Sequence, residues 1–181
     1  MADTSVKSAR GIPSTEFIEN VAEYMKRSES DTSVEAAIRK LEEAHQKYKF
    51  IEANMLHQRA RLKGKLPELT NSLHLLEALE EKRDQGKSME TQFVLSDQCY
   101  ATATVPPTDK ICLWLGANVM LEYSFAEARE LLEKNIRNAE KAVAELSREL
   151  DFVKDQLTTT EVNIARIYNW GVQQKKPATA S

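Results

Sequence analysis

Cysteine, glycine and aromatic residues are scarce in this chain, with two cysteines, five glycines and 7% aromatics among 181 residues. That scarcity argues against a disulfide scaffold and against a turn-rich globular core, which draws on all three. Cys99 and Cys112 have no C-x-x-C neighbour and no histidine pair nearby, so reduced thiols are expected rather than a zinc or redox motif. Long apolar runs are missing too. No stretch approaches the roughly 18 apolar residues of a membrane helix, and Asp3, Lys7 and Arg10 near the start exclude a secretory h-region. Charge of one sign is also absent. Lys and Arg number 25 against 28 Asp and Glu, a formal −3. With no long-range pull toward phosphate, neither nucleic acid nor an anionic membrane is an expected partner. The basic cluster Arg59, Arg61, Lys63 and Lys65 alternates with apolar residues at helical spacing and reads as a solvated helix face.

What the chain does have is a charged share of 29% and an abundance of Ala, Glu, Lys, Leu and Arg, the composition of long helices. Residues 1–31 form an N-terminal extension in which Phe17, Ile18, Val21, Tyr24 and Met25 share one face of a short amphipathic helix over residues 14–25. Thr32 and Glu35 have capping-box spacing and open a second helix, expected over 32–85. Along it Val34, Leu41, Tyr48, Met55, Leu62, Leu69 and Leu76 recur every seventh residue, the d row of a coiled coil. The facing a row holds Ile38, His45, Glu52, Arg59, Leu66 and Leu73. Its three polar members read as a register device. A helix of ~50 residues extends ~75 Å, longer than a single globular core. Pro67 removes one backbone hydrogen bond within it, and because the d row keeps its phase on both sides a bend is expected rather than a break.

After Gly86 the period falls to two. Four short runs, 91–95, 99–105, 110–115 and 119–123, are separated by turn-forming residues and predict two β-hairpins within 90–124. Ser124 and Glu127 form a second capping box. A seam of Leu132, Ile136, Ala139, Val143, Leu146, Leu150, Val153, Leu157, Thr160, Ile164 and Ile167 then marks a helix over 125–170, followed by a disordered tail over 171–181. The fold class is therefore mainly α, a long antiparallel two-helix coiled coil joined by two β-hairpins. Two isolated hairpins cannot cover their own apolar faces and edges, so the β segment needs a partner chain.

Catalytic chemistry is not expected. His45, His57 and His74 lie on one helix, the outer two roughly 43 Å apart at helical rise, so they cannot converge on a metal. There is no glycine-rich phosphate loop, and neither an enzyme nor a cofactor is expected. Trp114 sits in an apolar β run and reads as core or interface packing. Trp170, near the end of the second helix, either closes the coil against residues 17–25 or contacts another molecule.

Four segments resemble the prefoldin family, in particular its eukaryotic α-class subunits: KYKFIE (47–52), RLKGKLP (61–67), TVPPTDKICLWLGANVMLEY (104–123) and LTTTEVNIARIYNW (157–170). The likeness extends over residues 32–170, the expected prefoldin domain. It implies a co-chaperone hexamer of two α-class and four β-class subunits, in which this chain joins one further α-class and four β-class sisters. It also implies that the coil tips hold non-native polypeptides, notably unfolded actin and tubulin, and pass them to the cytosolic group II chaperonin without ATP. Client binding then falls on the tip residues Val34, Ile38, Leu41, Ile164, Ile167 and Trp170. Subunit assembly falls on Phe93, Leu95, Tyr100, Val105, Ile111, Leu113, Trp114, Leu115, Val119, Leu121 and Tyr123. The implied location is cytoplasmic, with the nucleus as a second compartment. A coiled-coil scaffold or tether is the alternative, and it has no need of four amphipathic runs between its helices.

Overall fold

The computed structural model describes Ser8, residues 10–27 and residues 33–175; Thr32, expected to cap the long helix, and residues 176–181 of the expected tail lie outside the described residues. Seven elements follow in order: α1 (Val21–Arg27), α2 (Val34–Asp84), β1 (Met89–Ser96), β2 (Cys99–Val105), β3 (Lys110–Gly116), β4 (Val119–Ser124) and α3 (Phe125–Lys175). The chain divides into two compact units, one of residues 1–60 with 144–181 and the other of residues 61–143.

In the first unit the heptad rows become the buried seam. Leu41, Tyr48 and Met55 of α2 are buried, as are Leu146, Leu150, Val153, Leu157, Thr160 and Ile167 of α3, with Leu150, Val153 and Ile167 fully enclosed. Each enclosed aliphatic side chain contributes about 1.5–3 kcal/mol. The two helices run antiparallel here: Val34 abuts Gly171, while His45 Nε2 meets Glu161 Oε1 at 2.9 Å further along. The first end of α2 is capped by Ser33, whose Oγ accepts from the Ala36 amide at 3.2 Å. Of the polar a-row residues, His45 reaches across to α3, and Glu52 pairs with Lys49 on its own helix, 3.6 Å away.

Helix α3 continues beyond its expected end. Gly171 was assigned to the disordered tail, yet it is buried and helical. A Cβ there would lie 2.7 Å from Val34 Cγ1. Only glycine allows this approach, and packing against the start of α2 sustains the extra turn that composition alone does not suggest.

In the second unit α2 passes through Pro67 as one uninterrupted helix. A core of Leu76, Phe125, Ala128 and Leu132 binds the end of α2 to the start of α3. Arg129 of α3 donates to Glu77 at 3.2 Å and also to Glu80, and these carboxylates raise the guanidinium pKa above its ordinary value. Arg83 stacks over the Phe125 ring, 4.8 Å from its centroid. The second capping box is complete. Ser124 donates to Glu127 Oε2 through its amide at 3.0 Å and its hydroxyl at 2.7 Å, and the Glu127 amide donates to Ser124 Oγ at 3.3 Å. These bonds to the charged form hold the Glu127 carboxyl below its usual range.

The hairpins are two separate two-stranded antiparallel sheets, β1–β2 and β3–β4. Both ladders change register one step before the turn, between Val94 and Ser96 in the first and between Trp114 and Gly116 in the second. Leu95 and Leu115 are thus the bulged residues. Gln98 and Asn118 occupy matching turn positions with φ of 62° and 60°. The turns otherwise differ, since in the second Gly116 and Ala117 also have positive φ, 92° and 49°.

Two outcomes test this account. Leu150→Ala should lower stability by about 2–5 kcal/mol, whereas Phe50→Ala, at a position 70% exposed, should change it by under about 0.5 kcal/mol, both read from thermal unfolding by circular dichroism. Because the Glu127 pKa is depressed by folding, its contribution is fully present above the ordinary carboxylate pKa of about 4.3 and disappears as pH falls below it. Protection factors of the amides in the first turn of α3, with the intrinsic pH dependence of exchange divided out, should therefore fall in that acid window, and Glu127→Gln should flatten the dependence.

Candidate interaction surfaces

Two surfaces, one in each unit, gather the residues singled out from the sequence. In the second unit the hairpins expose their turn-proximal halves. Phe93, Leu95, Tyr100, Trp114, Leu115, Val119 and Leu121 are between 44% and 67% exposed, far more than apolar side chains of this size tolerate without a partner. Val105 is half-buried. Ile111, Leu113 and Tyr123 are directed differently from the expectation: they lie on the inner face of β3–β4 and pack on the Leu76–Phe125–Ala128–Leu132 core of their own chain. Val94 and Met120, 69% and 56% exposed, belong to the outer surface and were missed. Near the turns neither face of a hairpin is covered: Phe93 and Val94 are both exposed, as are Met120 and Leu121, although alternation puts the members of each pair on opposite faces. The Trp114–Met120 pair stands on the face away from the core. On that same face, Glu122 receives Lys110 Nζ at 2.6 Å, which raises the lysine pKa. Beyond its hairpin partner each strand has a free edge, since each sheet contains only two strands.

In the first unit the expected client-binding residues are brought together, but not left open. Leu41 and Ile167 are buried with Ile18, Val21 and Ala37, and Val34, Ile38, Ile164 and Trp170 are half-buried around them, joined by Tyr24 and Met25. The N-terminal segment covers this end of the coil. Trp170 packs half-buried against this cluster. Phe17 alone of the five apolar residues on the expected helix face stays half exposed, its ring 5.1 Å from the Arg166 guanidinium.

The covering segment is not the helix expected over 14–25. Residues 11–20 form no helix, and α1 begins only at Val21, where Asn20 Oδ1 accepts from the Glu23 amide at 3.2 Å. The reason is a competing set of hydrogen bonds. Asn163, fully buried, accepts from the Ile18 amide through Oδ1 at 2.9 Å and donates through Nδ2 to Glu16 O at 2.8 Å. Gln156 Oε1 accepts from the Thr15 amide at 2.7 Å. Tyr48 donates its hydroxyl to Pro13 O at 2.8 Å, and Arg166 donates to Glu19 O at 2.8 Å. Ser8 Oγ donates to Glu149 Oε2 at 2.5 Å. Main-chain groups that a helix would pair internally are taken by side chains of α2 and α3. Glu149, Gln156 and Asn163 recur every seventh residue, a polar row beside the apolar seam. From Gln156 to Arg166 the helix advances ~15 Å, close to the ~13 Å that four extended residues from Thr15 to Glu19 span. Segment and helix are therefore matched in length as well as in chemistry.

Among the described residues no group of three or more His, Cys, Asp and Glu side chains is arranged to hold a metal ion, and Cys99 and Cys112 are free and exposed.

Comparison with known proteins agrees with this architecture. The family model described as prefoldin subunit matches residues 48–170, more than half of the chain. Prefoldin subunit 3 of Mus musculus and that of Homo sapiens are each 50% identical over 165 residues, 91% of this chain and 84% and 83% of theirs. A probable prefoldin subunit 3 of Caenorhabditis elegans is 46% identical over 181 residues, covering 99% of this chain and 97% of its own. Two long helices joined by two hairpins, with these relatives, show that the chain belongs to the prefoldin subunit family of co-chaperones.

Proposed function

We propose that this chain is an α-class subunit of a hexameric co-chaperone, joined through its hairpins to one further α-class and four β-class subunits. The observation that carries the proposal is the apolar surface on the turn-proximal halves of both hairpins, from Phe93 to Leu95 and from Trp114 to Leu121, beside free strand edges. Edge pairing with sister hairpins would satisfy the backbone groups and bury these side chains at once, closing the sheets into a barrel. A chain with two hairpins supplies twice the edges of a chain with one, which suits the α-class position. In this reading the complex holds non-native polypeptides such as unfolded actin and tubulin at the coil ends and passes them to a group II chaperonin. No step calls for nucleotide. Several weak apolar contacts from separate subunits act together, so each can remain readily reversible. The working compartment is the cytoplasm, with the nucleus as a second site.

Mixing the chain with β-class prefoldin subunits and weighing the product by native mass spectrometry tests this. The chain should enter a hexamer. A triple variant Val94→Glu, Trp114→Glu, Met120→Glu should keep its helical circular dichroism and lose incorporation by at least about thirtyfold, the equivalent of one interface anchor worth ~2 kcal/mol. A stable homodimer that ignores the sister subunits would favour a scaffold instead and overturn the assignment.

A further inference from the structure

The N-terminal segment lies over the coil end as a ligand lies in a groove. Five main-chain groups between Pro13 and Glu19 are held by side chains of the two helices. Only Ile18 and Val21 insert as buried apolar anchors. Recognition of this kind reads the backbone and asks only that apolar residues fall at the pockets, as in other modes of extended-peptide binding. The Asn163 carboxamide is well suited to it. Its acceptor and donor engage the amide of one residue and the carbonyl two positions earlier, a pair that every non-proline extended segment presents.

The space is also larger than the segment fills. Beside it a groove of about 800 Å³ runs along α2, lined in part by Pro13, Leu41, Tyr48, Phe50 and Ile51. Phe50 on its rim is 70% exposed. The segment seats on seam residues: Ile18 and Val21 pack on Ala37, Leu41 and Ile167, and Tyr48 donates to Pro13 O, so its departure exposes apolar side chains of both helices.

We infer that the surface beneath the segment, continued by the open groove beside it, is a binding site for extended apolar stretches of non-native polypeptide, clamped through their backbone by Asn163 and Gln156, and that residues 13–21 occupy its clamped part as an internal pseudo-ligand. The inference rests on the co-chaperone reading above and deepens it by naming the site and the form of client it takes. Since Leu41 and Ile167 lie beneath the segment, a client reaches them by displacing it. The occupied groove is thereby protected from self-association between captures, and apparent client affinity is reduced by the fraction of time the groove is open.

The test uses the assembled hexamer and two probes, a fluorescent peptide of residues 12–26 and a reduced, carboxymethylated unfolded polypeptide. Ile18→Asp with Val21→Asp withdraws both anchors and should raise the affinity for each probe about tenfold or more. Each probe should displace the other. Adding Asn163→Ala should abolish the gain. In the unaltered hexamer the unfolded polypeptide should speed hydrogen exchange at the Thr15 and Ile18 amides, a readout that needs no variant to fold. Unchanged exchange there, or a gain that survives Asn163→Ala, overturns the groove assignment. Suppression of aggregation by the unaltered hexamer is measured alongside. If it suppresses aggregation while the released variant binds neither probe more tightly, the groove fails and the chaperone reading stands; if no form suppresses aggregation, the chaperone reading itself fails.

Discussion

A pair of helices buries one stripe of each and nothing more, and the rest of this structure answers that constraint. Where a larger domain would add a layer, each unit here finds cover by its own means. In the second unit the inner face of β3–β4 lays Ile111, Leu113 and Tyr123 over the core formed by Leu76 and Phe125. In the first, Ile18 and Val21 of the N-terminal segment cover Leu41 and Ile167. The apolar surface that remains uncovered, around Val94, Trp114 and Met120, is where another chain is required.

Polar chemistry decides how each cover is held. On the apolar seam itself, side chains of suitable volume could be exchanged at modest cost. The segment over the first unit has a stricter specification. Glu149, Gln156 and Asn163 form a row that reads as ordinary solvated helix until the segment arrives, and then its members are buried with partners for their buried polar atoms. A buried carboxamide left unpaired costs about 1–3 kcal/mol, so this row favours one docked arrangement of residues 13–19 over a sliding apolar contact. The caps work at smaller scale. Ser33 and the Ser124–Glu127 box fix where the two long helices begin.

Much of this was legible in the residues. The d row of α2 and the seam of α3 follow from seven-residue spacing because a helix returns the same face to its partner at that interval. The hairpins follow from period-two runs between turn residues, and the Ser124 cap from its spacing to Glu127. Less legible was anything that depended on a partner distant in sequence. The length of α3 past Trp170 depends on Gly171 meeting Val34, a contact between residues far apart along the chain. The apolar face of residues 17–25 was read correctly as a burying face, but its helical form was wrong for residues 14–20. Periodicity reports which side chains are covered, not which groups satisfy the backbone.

By itself the sequence determined the elements and their inward faces, since spacing, capping and turn chemistry are local and act wherever the chain goes. Tertiary structure alone decided what each surface is for. The hairpins reach their own chain's core only through Ile111, Leu113 and Tyr123, which leaves consecutive apolar residues from Phe93 to Leu95 exposed, and Asn163 drew a would-be helix into a non-helical strap. The second outcome turns on hydrogen bonds between groups that only folding brings within about 3 Å of one another.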